Sequence, residues 1–225
     1  CSRAEMLSEF FTHDGGETQK WRLKKHARTE YWRWVASWAA LVQKPSDLGY
    51  SDDGYDIPKL DILLRLVPTD YVPAGQLFPT SLKGIGERSA VRKDTLRIRV
   101  QAAVELIEQG GDESWLAWVG LNEEGRELAR MIPGAVLVEG NQSPEAKADA
   151  LSAFASGQTR VLVTKGTIAG FGMNFQQCAR MVFVGLSDSY EQYYQCIRRC
   201  WRFGQTRPVE AHVVLSEPEE PIYQN

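Results

Sequence analysis

The sequence is poor in the residues that staple a fold, anchor it in lipid or coat it with one sign of charge. Four cysteines in 225 residues are too few for a disulfide framework, and Cys1, Cys178, Cys196 and Cys200 lack the paired C-x-x-C spacing of a zinc site. The three histidines lie apart from them, so the cysteines read as buried thiols and no metal-ligating residue is expected. No apolar run reaches the roughly 18–20 residues that cross a bilayer, and the amino end lacks the basic-then-apolar layout of a signal peptide. No membrane partner is expected, and a cytoplasmic location follows. With 26 basic and 29 acidic residues the net charge is −3, which argues against an extended nucleic-acid-binding surface and leaves room for a local basic groove. Internal repeats and low-complexity segments are absent, and there is no persuasive Asp, Glu and Lys cluster of the kind a nuclease places around a metal. The chain starts at Cys1 and stops at "EEPIYQN", which reads as a piece cut from something longer.

What is present is an ordinary globular composition, 43% hydrophobic and 24% charged, with enough apolar material for a core. From Trp115 onward short apolar runs alternate with helical patterns. "WLAWV" (115–119), "AVLV" (135–138), "RVLVT" (160–164), "MVFVG" (181–185) and "AHVVL" (211–215) read as buried strands. Between them lie "NEEGRELARM" (122–131), "SPEAKADALSAFASG" (143–157) and "YEQYYQCIRRCWRFG" (190–204), whose acidic starts and glycine stops fit helix termini. In the second, Ser143 is placed as N-cap, Pro144 at the first helical position and Gly157 just past the end. Such alternation predicts an α/β fold, a parallel sheet flanked by helices, with ligands at the carboxyl ends of the strands.

The first ninety residues differ. "ARTEYWRWVASWAALVQ" (27–43) sets Tyr31, Trp34, Val35, Trp38 and Leu41 at helical spacing, which predicts a face packed into a core rather than a base-stacking platform. "KWRLKK" (20–25) reads as a solvated face, residues 44–60 as a loop into the strand-like "LDILLRLV", 71–89 as a linker and 91–109 as one long helix. A mainly helical segment over 1–88 and an α/β domain over 89–225 follow.

Two stretches carry chemistry. On a helix through 190–204, Gln195, Arg199 and Arg202 fall at i, i+4 and i+7 with Arg198 beside them, opposite Tyr193, Cys196, Ile197, Cys200 and Phe203. A guanidinium stripe of this kind is either a solvated face or a grip on a polyphosphate. In "RVLVTKGTIAGFGMNFQ" (160–176) a strand delivers Thr164 and Lys165 to a loop with glycines 166, 170 and 172, where backbone N–H groups can approach phosphate or ribose.

In this order and separation the two stretches resemble motifs V and VI of superfamily 2 helicases, and of the Swi/Snf branch in particular. "AGFGMNF" (169–175) looks like the glycine-rich motif V, and "QCIRRCWRFGQ" (195–205) is similar to the Q-x-x-x-R-x-x-R-x-G-Q motif VI. "SWLAWVGLNEEGREL" (114–128) occupies the motif IV position, and 138–164 matches the segment before motif V. The resemblance covers about 92–215, the second RecA-like lobe, while "LVQKPSDLGYSDDGYDIPKL" (41–60) looks like a divergent exit from the first. The wording of "KPSDLGY" and "GLSDSYEQYYQ" brings phage and prophage helicases to mind.

The resemblance implies an ATP-dependent helicase or translocase with ATP in a cleft between two lobes. Arg202 would be the arginine finger, with Arg199 beside it as the second catalytic cation. Gly170, Gly172, Asn174 and Gln205 would serve the nucleotide side, while Thr164 and Lys165 would touch nucleic-acid phosphates, DNA being favoured over RNA. The G-x-x-x-x-G-K-[ST] loop of such motors does not occur in the sequence, and no Asp-Glu pair stands on a turn at the carboxyl end of an expected strand. Magnesium and most of the triphosphate would therefore fall to a missing first lobe, and the fragment alone would be inactive. The reading from another class is a RecA-like module that binds nucleic acid or protein without ATP; the sequence upstream of Cys1 discriminates between the two.

Overall fold

The computed structural model describes residues 2–14, 17–71, 85–170 and 172–224. They form two compact units, Cys1–Tyr55 and Asp56–Asn225, so the division falls well before residue 88. The reason is a strand, described below, that precedes residue 88 and pairs into the sheet of the larger unit.

In the smaller unit, α1 (Arg3–Phe10) is opened by a capping box between Ser2 and Glu5. It leads into the antiparallel pair β1 (Phe11–Asp14) and β2 (Glu17–Leu23), followed by α2 (Arg28–Ala36). This unit is thus mixed rather than mainly helical. Phe10 is buried, with its ring 5.5 Å from both Tyr31 and Trp34, so the first half of the apolar stripe packs as its spacing predicts. The second half does not. α2 ends at Ala36, where the Ser37 hydroxyl donates back to the Trp34 carbonyl at 2.6 Å, and Trp38 and Leu41 are 65% and 85% exposed. In the basic run, Lys24 is structural: its Nζ donates to the Ser8 and Glu9 carbonyls at the end of α1, at 2.8 and 2.9 Å.

The larger unit runs β3 (Leu60–Val67), α3 (Ile85–Asp94), α4 (Leu96–Gln109), β4 (Trp115–Val119), α5 (Asn122–Met131), β5 (Val136–Val138), α6 (Pro144–Ala155), β6 (Val161–Thr164), α7 (Gly166–Ala169), β7 (Arg180–Val184), α8 (Tyr190–Ile197), β8 (Val209–Ser216) and α9 (Glu220–Gln224). Every expected strand from 115 onward is present within a residue or two. The single helix expected over 91–109 is broken at Thr95, a β-branched residue whose buried hydroxyl donates to the Val91 carbonyl at 2.7 Å. Most of the linker expected over 71–89, residues 72–84, lies outside the described residues. Helix α6 starts on Ser143, which accepts from the Ala146 amide at 3.2 Å, and Gly157 follows it at φ 76°.

The six strands are parallel throughout, in the order β3-β8-β7-β4-β6-β5. Alternate residues of each strand feed opposite faces. Leu116, Trp118, Leu162, Met181 and Phe183 join Phe154 of α6 and Ile197 of α8 in one core. Trp115, Ala117, Val119, Val163 and Val182 join Val100 and Ile107 of α4 and Leu128 of α5 in the other. Both faces are therefore covered, as a parallel sheet requires. The chain leaves β4 for β5, returns through β6, then jumps to β7 on the other side of β4. Strand order reverses between β4 and β7, and a crevice opens at their carboxyl ends.

Candidate functional site

That crevice holds a cavity of about 180 Å³ lined by Arg92, Gly120, Leu121, Lys165, Gly185 and Gln192, among others. Its wall is set by a buried ion cluster that the sequence did not disclose. Arg99 of α4 and Glu219 after β8 are 0% exposed and Glu124 of α5 is 1% exposed. Arg99 Nη1 lies 2.8 Å from Glu124 Oε1, an ion contact outside hydrogen-bond alignment, and Nε lies 3.4 Å from Glu219 Oε2. Arg99 Nη2 donates to the Arg92 carbonyl. Each carboxylate also holds a strand end. Glu124 Oε2 accepts from the Gly120 and Leu121 amides at 2.9 and 2.8 Å, and Glu219 Oε2 accepts from the Ser216 amide and hydroxyl at 3.1 and 2.7 Å. Gly185, at φ 80°, lies so close that a Cβ there would meet Arg99 Nη1 at 2.8 Å. Only the acidic third position of α5 signalled any of this, as a capping residue; nothing in the spacing pairs residue 99 with 124 or 219.

At the end of β6, α7 begins directly after Lys165 and ends on Gly170, whose amide donates to the Gly166 carbonyl at 2.9 Å. Gly172 takes φ 76°, a left-handed conformation that side chains resist, and Asn174 is exposed. The arginine segment differs from expectation in shape. α8 ends at Ile197 rather than 204, and residues 198–204 form tight turns, so Arg199 and Arg202 do not share a helical stripe. Phe203, expected on the packed side, is 54% exposed, while Cys196, Ile197 and Cys200 are buried as expected.

The two arginines have different surroundings. Arg199 Nε and Nη2 donate to the Gln195 carbonyl and Oε1 at 2.9 and 3.0 Å, and Nη1 donates to the Met173 carbonyl at 3.0 Å. Its own carbonyl accepts from the Phe175 amide at 2.9 Å. Arg199 is thus a clamp between α8 and the glycine loop, and burial, followed by the nearby Arg202 charge, draws its guanidinium below the usual arginine range. Arg202 has a buried Nε with no hydrogen-bond partner, and among the described residues no hydrogen bond or ion pair occupies its guanidinium. Arg198 lies 5.1 Å from the Trp201 ring, whose Nε1 donates to the Pro58 carbonyl at 2.6 Å.

Two of the expected ligand residues are engaged inside the fold. The Thr164 hydroxyl is buried and donates to the Val138 carbonyl at 3.2 Å, away from any exposed phosphate. Gln205 is buried and its amide is spent internally. Nε2 donates to the Cys178 and Cys200 carbonyls, at 3.0 and 3.4 Å, and Oε1 accepts from the Thr206 and Arg207 amides, both at 3.0 Å. It fixes the turn after Gly204. Lys165 does line the crevice.

Cys178, Cys196 and Cys200 are buried free thiols. Burial pushes the Cys196 thiol up to about 12 and Cys200 well above its usual value, which suppresses the reactive thiolate at neutral pH. Iodoacetamide at pH 8 should leave all three unmodified in the native protein and alkylate them in denaturant, as mass spectrometry of the peptides would read.

Residues 121–204 match the family described as the helicase conserved C-terminal domain. The matched span contains both the glycine loop and the arginine turns. Among solved structures, the chain is similar to the C-terminal part of the Fun30 ATPase domain, with a TM-score of 0.51 and 17% identity, covering 56% of this chain and 44% of that one. It is also similar to the RNA-helicase Prp28 from Chaetomium thermophilum bound to ADP, with a TM-score of 0.52 and 15% identity, covering 75% of this chain and 35% of that one. The chain therefore spans less than half the length of either. No curated protein matches it by sequence. At such identities the likeness is one of fold: a RecA-like parallel sheet flanked by helices.

Proposed function

We propose that this chain is the C-terminal half of an ATP-dependent nucleic-acid helicase or translocase, of the Swi/Snf type and phage-like in wording. The observation that carries the reading is Arg202, whose guanidinium has no hydrogen-bond or ion-pair partner among the described residues, beside an Arg199 that is fully engaged in holding the glycine loop. A cation with no such partner, close to the arginine that binds the glycine loop, fits an anionic ligand, and the γ-phosphate of ATP is the anion that a finger arginine serves. Arg202 is assigned that role. Arg199 acts one step back, since its three donors hold Gln195 and Met173 and so fix the segment from which Arg202 projects. Gly170 and Gly172 shape the loop on the nucleotide side, and Asn174 stands exposed on it. When bound, ATP supplies the phosphoryl group, and magnesium neutralises it; both would be held mainly by an N-terminal lobe that pairs with this one.

Lys165 on the crevice wall is assigned to a nucleic-acid phosphate, giving grip without base readout. DNA is preferred as the track. Lys165→Ala should weaken binding to all sequences alike and reduce the salt slope of log K by about 1. Filter binding at several salt concentrations reads this, and an unchanged slope removes Lys165 from the interface. The reading as a whole is tested by ATP turnover of the complete gene product with single-stranded DNA, duplex DNA and RNA. Turnover that none of the three stimulates would refute it.

A further inference from the structure

Arg88 and Arg92, one turn apart on α3, converge on a single carboxylate oxygen. Asp188 Oδ1, in the loop between β7 and α8, lies 2.8 Å from Arg88 Nη1 and 3.4 Å from Arg92 Nη2. Each arginine also carries a buried Nε without a hydrogen-bond partner. The nearest other anion for Arg92, Glu219 Oε1 at 3.5 Å, belongs to a carboxylate already shared with Arg99 and Ser216. Two guanidiniums are thus served mainly by one monoanion, and Arg92 lines the crevice together with Lys165.

Exposure along this alternating chain of charges shows which link can open. The Arg99 and Glu124 side chains are 0% and 1% exposed, whereas those of Arg92, Arg88 and Asp188 are 19%, 31% and 38% exposed. Breaking the inner pair strands a buried charge. The outer bridge, in partial contact with solvent, costs less to open than the inner pair. A phosphate offers several oxygens and more charge than one carboxylate oxygen, and guanidinium forks bind it bidentately.

We infer that Asp188 is an internal stand-in for a phosphate group, which displaces it from Arg92 and Arg88 when nucleic acid enters the crevice. This rests on the nucleic-acid reading of the crevice and adds to it a built-in competitor that lowers affinity until the β7–α8 loop gives way. Asp188 is then a specificity element: weak anions fail to displace it, and a polyanion succeeds.

The test is binding of a fluorescein-labelled oligothymidylate by fluorescence anisotropy across a salt series. Asp188→Asn should tighten binding about three- to tenfold, as expected for removing one like charge from a partly solvated site, and should steepen the salt slope by about 1. A double change, Asp188→Asn with Arg92→Gln, should lose both gains, which a merely loosened loop would not do. Circular dichroism melting of each variant confirms that it is folded. Competition by pyrophosphate as well as by unlabelled oligothymidylate would assign the phosphate to a free nucleotide, whereas competition by the oligothymidylate alone would assign it to the nucleic-acid backbone. If Lys165→Ala weakens binding while Asp188→Asn leaves it unchanged, the exchange is wrong and the nucleic-acid reading stands. If wild type and Asp188→Asn both fail to bind, both ideas fall.

Discussion

Arg202→Ala in the complete protein should lower nucleic-acid-stimulated ATP hydrolysis by about 10³–10⁵-fold, the range for loss of a finger arginine in nucleotide hydrolases. The melting midpoint should stay put, because among the described residues this guanidinium holds nothing. Arg199→Ala should behave differently. It removes three donors from the Gln195 and Met173 oxygens, so lost turnover should come with faster amide exchange at Phe175, whose amide donates to the Arg199 carbonyl. Arg202→Lys separates charge from geometry: an ammonium keeps the charge but cannot offer the planar fork, so it should restore only a small part of the rate. Normal steady-state turnover in Arg202→Ala would end the finger assignment. Equal destabilisation by both alanine variants would instead make the pair structural.

The largest effect on stability should come from Arg99→Met. The long apolar side chain fills most of the space, yet Glu124 and Glu219 are left as buried carboxylates facing a thioether. Removing one partner from such a buried group costs about 3–5 kcal/mol. For a unit of this size that is a fall in melting midpoint of about 10 °C, at about 2–4 °C per kcal/mol, readable by calorimetry. Loss of order should start at the strand ends the carboxylates hold, so hydrogen exchange should rise first at Gly120, Leu121 and Ser216. A variant melting within a degree of wild type would show that the two acids find other partners and that the cluster does not organise the crevice.

The strands and helices of the larger unit were legible because their signals are local and redundant. β4, five buried residues, is an uninterrupted apolar run, and α6 carries its own N-cap, proline and terminal glycine. The misread boundaries are those where one side chain bonds its own backbone against the periodic pattern. Thr95 splits a helix that the apolar spacing continues, and Ser37 ends another before Trp38 and Leu41 can pack. The assignment of β3 to the sheet was invisible because its partner β8 lies well over a hundred residues away, with register Leu60↔Val209.

The candidate site shows the same division. Residue types, order and spacing were enough to mark 160–176 and 195–205 as a candidate pair, and the fold joins them where Arg199 meets Met173 and Phe175. They could not rank members within the pair. Arg199 and Arg202 are the same residue type, and Thr164 and Lys165 are neighbours on one strand end. Which guanidinium is tied to Met173, and which of Thr164 and Lys165 meets the crevice, depends on where other segments of the chain come to lie.

By itself, then, the sequence determined the alternation of strand and helix, the parallel sheet with two covered faces, and the location of the cationic and glycine-rich segments, because hydrophobic period and backbone freedom act over a few residues. Only the tertiary structure decided that Arg99, Glu124 and Glu219 meet out of reach of solvent, that Asp188 occupies Arg88 and Arg92, and that Arg202 has no partner among the described residues. Those outcomes depend on the low-dielectric packing of elements distant in sequence, where a charge either finds its counter-ion through the fold or remains free for a ligand.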